Sequence, residues 1–298
     1  LGTINSMRHK FRSNTIKNSK INIHEHYDLG NEFYRIFLDE TMTYSCAYFE
    51  DINQSLNDAQ KSKYDILCRK LKIQESDKVL EIGSGWGGFA EYAATNYGCS
   101  VKGITISKEQ FGFSNERILK KNLQQKVNFE LIDYRNITGK YDKIVSIEMM
   151  EAVGDEFLED YFKQCDRLLN IDGLLGLQII TCPDSRYNSL RKGNDWTQKH
   201  IFPGSLLLAN NRMAEAMSKV SNLFLHSWEE FSHNYYRTLM KWHIKFNNSL
   251  ETVRSQGFSE EFIRKWNYYL CYCAAGFNMR NVGVAQGIYS RPNNLTLR

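Results

Sequence analysis

Proline is scarce, 3 residues in 298, where about 5% is usual. The scarcity has no functional reading of its own. No low-complexity stretch and no internal repeat divide the chain. Long apolar runs are also missing. The stretch Leu174 to Cys182 is broken by Gly176 and Gln178, and no segment approaches the ~20 apolar residues that span a bilayer. The opening residues are polar and basic with no apolar stretch behind them, so no secretory signal is expected. The first residue is Leu1 rather than Met, which leaves open whether an upstream part precedes it. Seven scattered cysteines form no CxxC pair, and seven histidines show no metal-finger spacing. The reading is a reduced, cytosolic, metal-free enzyme. Acidic residues are absent before Glu25, whereas Arg8, Lys10, Arg12, Lys17 and Lys20 crowd the same stretch. Such a block favours anionic partners, or is a solvated terminus. A membrane surface suits it better than nucleic acid, because no RNA- or DNA-binding module accompanies it.

What is present is ordinary globular composition, 42% apolar and 24% charged with a net charge of +4. Residues 55–73 read as a helix capped by Ser55. Strands and helices then alternate. Strands are expected at Val79–Ile82, Val101–Ile106, Val127–Ile132, Lys143–Ile147 and Leu174–Ile180, with helices after Gly88, from Ser107 and over 156–169. Ser107 and Gln110 have capping-box spacing. This rhythm implies a parallel sheet with helices on both faces. Residues 183–225 break it with a loop and helix, a long amphipathic helix is expected from about Trp228 to Gln256, and Gly283–Ser290 is strand-like.

Between the first strand and its helix lies Glu81-Ile82-Gly83-Ser84-Gly85-Trp86-Gly87-Gly88. Glycines there permit a tight turn and close backbone approach by a ligand at a helix N-terminus. Two templates fit: the dinucleotide fingerprint Gly83-x-Gly85-x-x-Gly88, and Glu81-x-Gly83-x-Gly85-x-Gly87, the first motif of S-adenosylmethionine (SAM) methyltransferases. An NAD site wants an acid about 20 residues on, and Gly103-Ile104-Thr105-Ile106 supplies none. Glu81 is placed to organise the methionine end of SAM, and Asp133 to meet the adenine amine. The balance favours SAM.

Further segments carry a resemblance. His26-Tyr27-Asp28-Leu29-Gly30-Asn31, Thr43-Tyr44-Ser45-Cys46-Ala47-Tyr48-Phe49, Gly103 to Ser107 and Glu148-Met149-Met150-Glu151-Ala152-Val153-Gly154 resemble the cyclopropane-fatty-acid synthase family. So do Ile201-Phe202-Pro203-Gly204, Tyr235-Tyr236-x-Thr238-Leu239 and Tyr268-Tyr269-Leu270-x-x-Cys273-Ala274. The likeness implies an α/β fold: a Rossmann-like SAM-dependent methyltransferase with a mainly parallel seven-stranded sheet and a helical cover over the active site. One domain is expected over 1–298, with 1–75 as N-terminal cover, 76–182 as cofactor-binding core, and 183–298 as lipid-site cover and final strands. Bacterial members carry an additional N-terminal domain.

The resemblance implies methyl transfer from SAM to the cis double bond of a phospholipid acyl chain. The cation formed loses a proton from the new methyl, with bound bicarbonate as base, and closes a three-membered ring. Carried over by position, Glu151 holds bicarbonate together with the Tyr235 hydroxyl and the N–H groups of Cys46 and Ile180, while Cys273 lines the pocket. SAM contacts fall to Tyr44, Ser45, Gly83, Gly85, Trp86, Gly87, Thr105, Gln110, Asp133, Tyr134 and Arg135, beside Glu81. Gln178 stands where many members have a bicarbonate-binding histidine, and Ala152 replaces a frequent histidine; both resemble a plant-type subgroup. The implied partner is unsaturated phospholipid, met by a cytoplasmic enzyme peripherally attached to the membrane, with a homodimer as a possible assembly. Methylation without ring closure, small-amine N-methylation and a non-catalytic lipid- or nucleotide-binding module remain open.

Overall fold

The structure is a computed structural model in which residues 14, 15, 18, 29–193 and 195–297 are described. The basic residues Arg8, Lys10, Arg12, Lys17 and Lys20, and His26-Tyr27-Asp28, lie outside them. Among the described residues seven segments become strands, all but the sixth largely buried or half-buried: β1 (Lys78–Ile82), β2 (Ser100–Thr105), β3 (Val127–Leu131), β4 (Tyr141–Ile147), β5 (Leu169–Thr181), β6 (Phe224–Glu230) and β7 (Gly283–Ser290). They form one sheet in the order β3-β2-β1-β4-β5-β7-β6. The first five pair in parallel, and β7 runs antiparallel between β5 and β6. The chain leaves β1 toward β2 on one side and reaches β4 on the other. That reversal opens a crevice at the C-terminal ends of β1 and β4, the usual ligand position in such sheets.

Helices close both faces. Helices α1 (Asn31–Phe37) and α2 (Leu56–Lys70) precede β1, and α3 (Gly88–Tyr97) and α4 (Lys108–Lys120) follow β1 and β2. Leu67 and Leu71 at the end of α2, Phe89 and Ala93 of α3 and Ile118 of α4 share one buried cluster with Val101 and Val127. On the opposite face, α5 (Leu158–Leu168) and, after the short α6 (Asp184–Leu190) and α7 (Trp196–His200), α8 (Asn210–Val220) pack Phe162 and Met217 against Leu175, Leu177 and Ile179. Strand alternation decides this: odd-numbered residues of β5 from 175 meet that cluster, so Gln178 and Ile180 point the other way, toward the crevice side.

The starts and stops follow local chemistry. The Ser55 and Ser107 side chains cap α2 and α4 by accepting from the N–H groups of Asp58 and Gln110. The capping box expected at Ser107 is only half formed, because the Gln110 side chain accepts from the Thr105 hydroxyl instead. Gly98, left-handed at φ +71°, ends α3.

One expectation fails. The long helix from Trp228 to Gln256 is three elements: Trp228 lies in β6, α9 spans Ser232–Asn248, and α10 spans Leu250–Ser255. The helical period is real over α9. It stops N-terminally because residues 224–230 hydrogen-bond with β7 as the edge strand of the sheet among the described residues.

Above the crevice, α1, α9, α10 and α11 (Glu260–Asn278) form an aromatic roof. Phe33 and Phe37 pack on Trp266, and Phe37 also on Trp242. All four rings are buried, each worth roughly 1.5–3 kcal/mol by area removed from water.

Candidate active site

A cavity of about 880 Å³ runs from the glycine loop under the aromatic roof to Tyr272, Met279 and Asn281. Gly83, Gly85 and Gly87 all have positive φ, so three reversals fit between β1 and α3. A Cβ on Gly85 would meet no atom within 4 Å, and Gly85 lines the cavity: the turn keeps that space clear. Gly87 is a correction to the expected SAM contacts. It does not line the cavity, and its missing Cβ would strike Phe129 at 2.8 Å. Its role is to bring α3 onto the sheet.

Most other expected cofactor residues meet at this cavity. Tyr44, Ser45, Glu81, Gly83, Trp86, Thr105, Gln110, Asp133, Tyr134 and Arg135 all line the cavity. The Trp86 indole N–H donates to Asn31 Oδ1 at 2.7 Å and its ring packs on Tyr34, which ties the loop to the roof. Asp133 is paired with Arg135 through bonds of 2.8 and 2.7 Å, so any adenine amine it meets shares the carboxylate with that guanidinium. Glu81 is buried with Oε2 unpartnered among the described residues, and burial holds its carboxyl well above the usual range. An orphaned acid and a glycine-lined gap fit a ligand bearing an amino group and a ribose, as SAM does. These residues would bind and orient it; SAM itself would supply a methyl on a positive sulfur.

The same cavity wall carries a carboxylate pair, Glu148 and Glu151. Glu151 accepts from the Ile180 N–H at 2.6 Å through Oε1, while Oε2 has no partner among the described residues. Burial, then the charge of Glu148, pushes its pKa up to about 8. The remaining groups assigned to Glu151's anion go elsewhere. The Cys46 N–H donates to Glu148 Oε1 at 2.9 Å, the Gln178 amide donates to the same oxygen at 2.8 Å, and the Tyr235 hydroxyl donates to Glu148 Oε2 at 2.6 Å. This corrects the expected bicarbonate nest. Its donors are occupied by a side-chain carboxylate, so bicarbonate does not fit among them. Cys46 and Gln178, moreover, lie behind Glu148 rather than on the cavity wall.

The support extends outward. Gln178 Oε1 accepts from Gln286, whose own oxygen accepts from Lys70; this fixes the Gln178 amide with its nitrogen toward Glu148. Lys63 is fully buried and donates to Ser45 Oγ at 2.7 Å. Desolvation lowers its pKa to about 8, opposed chiefly by the charge of Glu148. Cysteine chemistry is suppressed: burial raises the Cys46 thiol well above its ordinary value and Cys273, which lines the cavity, to about 12. Neither thiol is an ionised nucleophile near neutral pH.

Glu148 and Lys63 carry no role in the sequence reading. Two signals were available: a Glu-x-x-Glu spacing at the C-terminal end of a buried parallel strand, and a lysine in register with Leu56, Ala59, Gln60 and Leu67 on the buried face of α2.

The mainly parallel seven-stranded sheet, its glycine loop and the cavity at its switch point define the class: a SAM-dependent methyltransferase with a Rossmann-like fold. A family model described as mycolic acid cyclopropane synthetase matches residues 14–287. The chain is 37% identical over 267 residues to the cyclopropane-fatty-acyl-phospholipid synthase of Escherichia coli, covering 90% of this chain and 67% of that protein. It is 36% identical over 272 residues to the tuberculostearic acid methyltransferase UfaA1 of Mycobacterium tuberculosis, covering 89% of this chain and 64% of that one. The chain thus spans about two thirds of the length of these relatives. The solved cyclopropane synthase MmaA2 of Mycobacterium tuberculosis superposes with a TM-score of 0.84 at 28% identity, covering 91% of this chain and 98% of that one. The chain belongs to the mycolic acid cyclopropane synthetase family.

Proposed function

We propose that the chain transfers the methyl group of SAM to the cis double bond of an unsaturated phospholipid acyl chain and closes a cyclopropane ring. The observation that carries this reading is the single cavity shared by the glycine loop and the roofed apolar end, with a hydrogen-bonded carboxylate between them. An alkene is a weak nucleophile, so the protein's work is alignment in a space without water. Glu81, Gly85, Trp86 and Asp133 orient the cofactor. Tyr44, Phe202, Leu239 and Tyr269, all on the cavity wall, hold the acyl chain against it and offer π-faces to a developing cation. The Tyr44 and Tyr269 hydroxyls bond each other at 3.0 Å, which fixes both rings.

The substrate is met at a membrane surface by a cytoplasmic, peripherally attached enzyme working as one methyltransferase domain. Among the described residues no helix is long and apolar enough to cross a membrane. Gln178 and Ala152 support the plant-type subgroup. A second reading, methylation that leaves an open methyl-branched chain, is favoured by the 36% identity to a protein named a tuberculostearic acid methyltransferase. Incubation with SAM and unsaturated phospholipid vesicles, followed by lipid mass spectrometry and ozonolysis, separates the two. Both add one methylene, but only ring closure consumes the double bond. Unchanged lipid with SAM turnover on an added amine would overturn both.

A further inference from the structure

Glu148 follows β4 directly, and its backbone has φ +49°. Glycine adopts that left-handed conformation freely; a glutamate there is a strained choice that surrounding structure must enforce. The enforcement is visible: the Glu148 N–H donates to the Gln178 carbonyl at 2.8 Å, while the Gln178 side chain, Cys46 N–H and Tyr235 hydroxyl hold the carboxylate. The reversal turns a side chain that would continue the strand into the cavity wall. Three donors converge on two oxygens, a cradle built for a charged acceptor. The neighbouring Glu151 and Glu81 lack such cradles: each keeps one buried oxygen unpartnered among the described residues.

We propose that Glu148 is a built-in general base, its carboxylate doing within the chain what a captured bicarbonate would otherwise do. The inference rests on the cyclopropanation reading above. After methyl transfer to one alkene carbon, the other carries positive charge. A C–H bond of the transferred methyl breaks, its electron pair closes the third bond of the ring, and the proton passes to a Glu148 oxygen. The resulting carboxylic acid returns its proton to water when the product leaves. No redox partner is needed, and no charge is left on the lipid.

The test compares wild type, Glu148→Gln and Glu148→Gly in carbon-dioxide-depleted buffer and with added bicarbonate. Readouts are lipid product, S-adenosylhomocysteine release, and binding of ¹³C-bicarbonate by NMR. Wild type should form the ring at the same rate in both buffers and bind no bicarbonate. Glu148→Gln keeps the shape without the charge, and ring formation should fall on the order of 10²–10⁴-fold, with no rescue. Glu148→Gly relieves the left-handed backbone and empties the cradle, so it should fold, bind bicarbonate and recover at least tenfold when bicarbonate is added. Wild-type turnover that requires bicarbonate, a fully active Glu148→Gln, or bicarbonate bound to wild type at the cavity would overturn the inference. A wild type that makes no cyclopropane lipid fails the functional reading and takes the base role with it. Ring formation that depends on bicarbonate fails this inference alone.

Discussion

Replacing Gln178 with leucine isolates what the cradle does for Glu148. The amide makes three bonds: to Glu148 at 2.8 Å, to the Cys46 carbonyl at 3.2 Å, and from Gln286 at 3.1 Å. A hydrogen bond to a charged group is worth about 1.5–3 kcal/mol. At about 1.4 kcal/mol per unit, losing it raises the Glu148 pKa by about one to two units. Burial already raises that pKa; Tyr235, Lys63, Gln178 and the Cys46 N–H oppose the rise, and removing one opponent adds to it. Glu151, the other acid on this wall, acts in the same upward direction when ionised. Activity that needs ionised Glu148 appears as pH rises through its pKa, so the acid limb of the rate profile should move upward by about one to two pH units. Gln286 and the Cys46 carbonyl lose a buried partner as well, which should lower stability by about 1–3 kcal/mol. Turnover measured across the acid range, with urea unfolding of the same variant, reads both effects. An acid limb left in place with stability within about 0.5 kcal/mol of wild type would refute the geometry.

Three further outcomes follow from other parts of the molecule. Gly85→Val would place methyls in open cavity space, and calorimetry should show SAM affinity lost by at least about a hundredfold, beyond the ~1–2 kcal/mol of left-handed strain; unchanged affinity would reject the loop as the SAM site. Glu151 has its pKa raised from 4.5 to about 8, so its contribution to stability is full below the lower value and is lost as pH rises to the higher. Glu151→Gln should therefore be more stable than wild type at pH 8, the gap growing by at most about 1.4 kcal/mol per pH unit; parallel unfolding curves for the two proteins would count against that. Neutralising Lys10, Arg12, Lys17 and Lys20 should weaken sedimentation with anionic vesicles by up to ~1 kcal/mol per residue at low salt, and no change in its salt dependence would remove the basic block from membrane attachment.

The β1–loop–α3 unit was legible because its signals are local: a short buried strand, glycines that punctuate the turn, and Gly98 at the helix end. Gly283–Ser290 was found for the same reason, as a short run of small and apolar residues broken by Gln286. β6 was not. Its first four residues are exposed and it ends in Glu229 and Glu230, as charged edge strands commonly do, so nothing in it alternates clearly and Trp228 joined the helical period of α9. The site divides similarly. Glu81, Thr105 and Asp133 were legible as cavity-lining positions because each lies at or just past the end of a recognisable strand, whereas Tyr44, Ser45 and Gln110 do not and came with the family resemblance. Glu148 escaped because its direction depends on a positive φ, which no periodicity reports. Lys63 escaped because counting an apolar helix face omits a lysine on it, although here the lysine is buried against Ser45. The role given to Glu151 followed position within a motif. The hydrogen bonds that carry it lie three residues earlier.

Isotope retention tests the central claim most directly. Wild-type protein is given SAM with a fully deuterated methyl group and unsaturated phospholipid vesicles in bicarbonate-free buffer, and the lipid is analysed by mass spectrometry. Removal of one hydron from the transferred methyl, with ring closure, predicts a product that keeps two of the three deuterium atoms and resists ozonolysis. A lipid that keeps all three, or one still cleaved at the double bond, would contradict cyclopropanation by this chain.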